Sequence, residues 1–96
     1  MSHHLLAIDE AIAELVSLGG TKERKDAIIN SKYGADTLTL ATEIYEFAVN
    51  YPVDWTTMKL DEALLETVRA AVKHRYPFLD AQTVRQLASY FAYLWK

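Results

Sequence analysis

The sequence predicts an all-α fold: a compact single-domain bundle of four to five helices spanning residues 1–96. Three observations carry this expectation. Apolar residues recur at three- and four-residue spacings, and no segment alternates apolar with polar as a half-buried strand does. Glycine, proline and capping side chains fall between the periodic stretches. Finally, residues 80–96, DAQTVRQLASYFAYLWK, read as a capped helix rich in aromatics. Val84, Leu87, Ala88, Phe91, Leu94 and Trp95 fall on one face of it. A face this apolar must dock, so the chain is expected to fold around it.

The first helix is expected over about residues 5–18. Leu5, Ile8, Ile12, Leu15 and Val16 form its stripe, with Glu10, Glu14 and Ser17 opposite. Gly19-Gly20 stops it. The second begins at the cap Thr21 and runs to about Asn30. Its apolar residues Ala27, Ile28 and Ile29 point in different directions, so they define no face. Residues 31–35 read as a turn around Gly34. The third helix, residues 36–50 with Asp36 as its N-cap, carries Leu38, Leu40, Ala41, Ile44, Tyr45, Phe47, Ala48 and Val49 over a wide arc. A helix apolar over so much of its circumference should be central. Tyr51-Pro52 ends it, because proline disfavours helix in the preceding residue.

Residues 52–60 read as a loop with one helical turn after Asp54. The fourth helix is expected over residues 61–75, with Leu64, Leu65, Val68, Ala71 and Val72 inward. Ala63, Thr67 and Ala70 make a small-residue flank that would let a neighbouring helix approach closely. Tyr76-Pro77 ends it, and Asp80 caps the fifth helix. The two Tyr-Pro stops share a local grammar; the flanking helices do not repeat.

Half of the 96 residues are hydrophobic, enough for one core without staples. Cysteine is absent, which excludes disulfide and thiol chemistry and fits a reducing compartment. No stretch has the length of a membrane span, and Asp9, Glu10 and Glu14 interrupt the apolar stretch that could pass for a signal peptide. A cytoplasmic location is therefore expected, with no membrane partner. His3 and His4, whether native or tag-derived, are set aside. Residues 1–50 carry four bases against eight acids, a net −4, and residues 51–96 six against five, a net +1. That balance suits a phosphate backbone poorly and is compatible with a basic protein. Of the eleven aromatic residues only Tyr33 precedes residue 45, so the second half should supply most of the core.

The motifs point to little chemistry. His74 follows Lys73 and precedes Arg75 at a helix end, where the dipole favours a cation. No His, Asp or Glu stands at ligand spacing around it, so no metal and no cofactor is expected. Arg69 and His74 form an Arg-x4-His pair that resembles the motif of HEPN-type ribonucleases, which implies acid–base cleavage of RNA across a dimer. Ala70 stands where that family carries a polar residue, and the pair lies about 140° apart on a helix. Gly34-Ala35-Asp36-Thr37-Leu38 is similar to the Gly-Ala-Asp-Ser-Leu motif of acyl carrier proteins, which implies a phosphopantetheine arm on the fourth residue. Here that residue is Thr37, not serine. No serine has the surroundings of a nucleophile, and no enzyme is expected.

Contact is the remaining expectation. The inward face of the fifth helix is filled by its apolar residues, so Arg85, Gln86, Ser89 and Tyr93 look outward, with Tyr90 on the boundary. Tyrosine beside arginine and amides is a common composition for a binding surface. Trp55, in the 52–60 loop, is either a lid on the core or part of that surface. These six residues are the candidate partner-binding site. The expected function is that of a small intracellular protein–protein interaction domain acting as a regulator, inhibitor or immunity-type protein. Its partner would be another protein or a second copy. The alternative is a nucleic-acid-binding regulator using helices 61–75 and 81–95 as a helix-turn-helix, with Gln82, Thr83, Arg85 and Gln86 as readers.

Overall fold

Capping sets the helix boundaries. A computed structural model describes residues 2–17 and 19–95, with side chains from residue 7 on. It contains α1 (Ser2–Leu15), α2 (Lys22–Tyr33), α3 (Ala35–Val49), α4 (Glu62–Arg75) and α5 (Ala81–Trp95), and no strand among the described residues. Thr21 Oγ1 accepts from Arg24 N at 3.2 Å, Asp61 Oδ1 from Leu64 N at 3.0 Å and Asp80 Oδ1 from Thr83 N at 2.7 Å. Each cap satisfies an orphan donor of a first turn. The side chains of His3, His4 and Leu5, and Leu18 at the expected end of the first helix, lie outside the described residues.

Helix α3 is central, as its wide apolar arc predicts: it packs against each of the other four. Helix α5 packs against α3 and is flanked by α1 and α4. The Cα envelope measures 42 × 29 × 17 Å, so the molecule is about two helices thick. The core between the layers holds Ile12, Ile29, Ile44, Leu64, Val68, Leu87 and Phe91, all fully or almost fully buried.

Several expectations are corrected. α1 stops at Leu15, short of the glycines, because Lys25 of α2 closes its end. The ammonium donates to Leu15 O at 3.3 Å and to Ser17 O, and Ser17 Oγ donates to Glu14 O at 2.6 Å. α2 extends to Tyr33, so the turn expected over residues 31–35 shrinks to Gly34. Gly34 holds φ 94° and ψ 164°, which residues with a Cβ avoid, and it pivots α2 directly into α3. Asp36 is not the N-cap of α3; it lies in the first turn, where its charge suits the helix dipole. The small flank of α4 is not covered, since Ala63, Thr67 and Ala70 are exposed. The last turn of α5 overshoots the core. Val84, Leu87, Ala88 and Phe91 are buried as expected, but Leu94 is 46% exposed and Trp95 49%.

Candidate functional site

The outer face of α5 is built on one ridge. Arg85, Ser89 and Tyr93 follow each other at four-residue intervals and are all exposed. Their opposite neighbours Val84, Leu87 and Phe91 anchor the helix in the core, so the ridge is held by packing. Helix neighbours rise on both sides of it and leave open grooves, two of which Arg85 lines.

On the α1 side, a groove of about 730 Å³ is lined by Gln82, Arg85, Gln86, Ser89, Tyr90 and Tyr93 of α5, with Ala13, Val16 and Ser17 opposite. It brings together five of the six residues singled out in the sequence. Arg85 is the only charged side chain in that lining. Among the described residues it makes no ion pair; those present join Lys22 to Asp26 and Arg69 to Glu62 and Glu66. Tyr93 is 53% exposed and stacks on Tyr90, with ring centroids 5.7 Å apart and planes at 27°. Tyr90 in turn leans on Tyr45 of α3 at 5.8 Å. The Tyr45 hydroxyl is pushed up to about 12, chiefly by burial and then by Tyr90 beside it. The three rings thus run as a ladder from the half-buried layer to the surface.

The wall supplied by α1 was not legible in the sequence. Val16 reads as a core residue, but it lies just past the end of α1, half-buried, and faces the groove. Only the packing of α1 beside α5 brings Ala13, Val16 and Ser17 there.

Trp55 does not join the groove. It is 42% exposed and packs on Trp95, with centroids 5.9 Å apart. Trp95 packs its other side near Phe91 and donates Nε1–H to Val49 O at 3.1 Å, closing the end of α3. Asp54 starts the turn that carries Trp55: its carboxylate accepts from Thr56 N at 3.1 Å and from the Thr56 hydroxyl, which hold its pKa below the usual carboxylate range. Trp55 is therefore neither a sealed lid nor a member of the α5 groove. It belongs to a second apolar patch at the end of α5.

On the α4 side, a groove of about 580 Å³ is lined by Glu62, Glu66, Arg69, Ala70, Lys73 and Arg85, with Ala81 and Val84 at its base. Arg69 and Lys73 in it are engaged by partners of their own, while Arg85 is shared with the α1-side groove. Arg69 donates to Glu66 at 2.7 Å and to Glu62, and both carboxylates push the guanidinium pKa further up. Lys73 donates to Pro77 O at 3.0 Å and to Leu79 O. Two of the bases needed for a phosphate backbone are thus engaged. Thr83, one of the expected base readers, is buried and cannot reach a groove of DNA.

The chemical resemblances fare no better. Arg69 is bound to its two glutamates, and His74 is exposed in the last turn of α4. Thr37 is 7% exposed, so its hydroxyl is not presented for attachment of a prosthetic arm. No group of three or more potential metal ligands occurs among the described residues, and no described helix is long and apolar enough to cross a membrane. Comparison of the chain with protein-family models, with curated proteins and with solved structures finds no match.

Proposed function

We propose that this protein acts by contact, as a small protein–protein interaction domain whose binding surface is the outer face of α5. We read it as a regulator, inhibitor or immunity-type protein. One observation carries the reading: Arg85, Gln86, Ser89, Tyr90 and Tyr93 converge on one open groove that contains no matched acid–base pair. Aromatic and arginine side chains supply most binding energy in protein interfaces, and amides and serine supply adaptable hydrogen bonds. The rigid backing of Leu87 and Phe91 lets Tyr93 be presented without loss of order on binding. The nucleic-acid reading is weaker, because Arg69 and Lys73 are spent on internal partners.

The experiment is affinity capture with wild-type and Tyr93→Ala baits, followed by titration of the purified ligand at low and high salt. A protein ligand lost with Tyr93→Ala, and indifferent to Arg69→Gln, Lys73→Gln and Arg75→Gln, supports the reading. Nucleic acid captured tightly, and released when those three bases are neutralised, refutes it.

A further inference from the structure

The groove between α1 and α5 is lined by one charge, and that charge is positive. Arg85 is exposed and has no ion-pair partner among the described residues. The carboxylates of the flanking elements are engaged elsewhere. Glu62 and Glu66 of α4 are held by Arg69. Glu10 of α1 accepts from the Tyr33 hydroxyl of α2 at 3.0 Å, and Glu14 adds its charge beside that hydroxyl. Before the first turn of α5, Asp80 accepts from Thr83 N, and Asp9 accepts from Asp80 N at 3.4 Å. The rest of the groove lining is neutral, with the amides of Gln82 and Gln86 beside Arg85 and with Ala13 and Val16 opposite. Tyr93 closes the other end, stacked on Tyr90 and more than half exposed. Arg85 and Tyr93 lie eight helical residues apart, about 12 Å along α5. The chain as a whole is net −3, so this groove runs against its overall charge.

We propose that the occupant of this groove is an acidic segment of a partner protein, which sets an Asp or Glu carboxylate on Arg85 and an apolar or aromatic side chain against Tyr93. This inference rests on the reading of the α5 face as a contact surface and names the chemistry of its partner. Charge complementarity selects the carboxylate. A guanidinium holds a carboxylate through two parallel N–H···O bonds, a match that neutral and basic side chains do not make. Arg85 breaks no internal ion pair to do so, whereas Arg69 would have to release its glutamates. A basic segment, which the net charge alone would favour, brings like charge onto Arg85. Charges more than about 8 Å away are largely screened at physiological salt, so at contact the local cation outweighs the net charge. Ala13, Val16 and the Tyr93 ring keep water from one side of the pair, which strengthens it. The gap of about 12 Å between the two anchors is spanned by about four residues of extended chain or about eight of helix.

Selection from a phage-displayed library of random peptides tests this, with wild type, Arg85→Glu and Tyr93→Ala as immobilised targets. Circular dichroism melts show that each variant folds. Peptides enriched on wild type over Tyr93→Ala should share an Asp or Glu together with an apolar or aromatic residue at a fixed spacing. On Arg85→Glu the acid should give way to Lys or Arg at the same position. A synthetic copy of the most enriched peptide should bind Arg85→Ala roughly three- to tenfold more weakly than wild type, with a smaller difference at high salt. Enrichment that depends on Tyr93 but carries no acid overturns the inference and leaves the contact reading standing. An acid preference that persists on Arg85→Glu does the same. A library from which wild type enriches nothing beyond Tyr93→Ala also overturns the acidic segment as occupant, and the contact reading then stands or falls on the capture experiment.

Discussion

Replacing Phe91 by alanine should remove a large part of the protein's stability. Phe91 is fully buried and heads the largest enclosed side chains. Truncation forfeits about 100 Å² of hidden apolar surface, which at about 25 cal/mol per Å² is about 2.5 kcal/mol. The space left behind adds up to about 2 kcal/mol if the surroundings do not relax, and less as Leu87 and Trp95 move in. The expected loss is therefore about 3–5 kcal/mol, against a total of about 5–14 kcal/mol for a chain of this length. At roughly 5 °C per kcal/mol, Tm should fall by roughly 15–25 °C. Thermal melts followed by circular dichroism measure this, with Trp95→Ala as the comparison. Trp95 is half-exposed, so its loss should cost only about 1–2 kcal/mol, from one hydrogen bond to Val49 O and partial packing. Equal losses at the two positions would refute the view that α5 stops contributing to the core beyond Phe91.

Further predictions follow from the pivot and the tyrosine ladder. Gly34→Ala meets no atom within 4 Å of the added Cβ, yet φ 94° strains it, so stability should drop by about 1–3 kcal/mol in denaturant titration. Tyr45, at about 12 in the folded state against about 10 unfolded, holds its proton more tightly when folded. Its contribution to stability is therefore full below about pH 10 and is lost as pH rises through about 12. Alkaline unfolding followed by phenolate absorbance should show that decline, and Tyr45→Phe should reduce it.

The fold was largely legible because four of the five helices carry a stripe with period 3.6, and because Thr21, Asp61 and Asp80 cap where capping chemistry places them. Helix α2 shows where periodicity fails. Of its residues only Ile29 and Lys25 are buried, and Lys25 is buried to close the end of α1. A helix whose buried residues are one isoleucine and one lysine has no apolar stripe to read. Periodicity also cannot tell where a core ends. Leu94 and Trp95 continue the inward face by angle, but α5 is longer than the layer it covers, so its last turn meets solvent.

The outer face of α5 was legible by elimination, since a filled inward face leaves Arg85, Ser89 and Tyr93 outside. The groove was not, because its second wall comes from Ala13, Val16 and Ser17. Nothing in those residues marks α1 as the neighbour of α5. Trp55 was undecided in sequence because a loop tryptophan has no period; only its packing on Trp95 sets it apart from the groove.

The central claim is that Tyr93 is an anchor for binding and not for folding. The direct measurement is a paired one on Tyr93→Ala: the thermal midpoint and the affinity for the ligand that the wild type binds. The expected result is a stability within about 0.5 kcal/mol of wild type, as for surface positions, with a loss of about 1–2 kcal/mol in binding. A fall in Tm comparable to that of Phe91→Ala, or binding that survives the substitution unchanged, would contradict it.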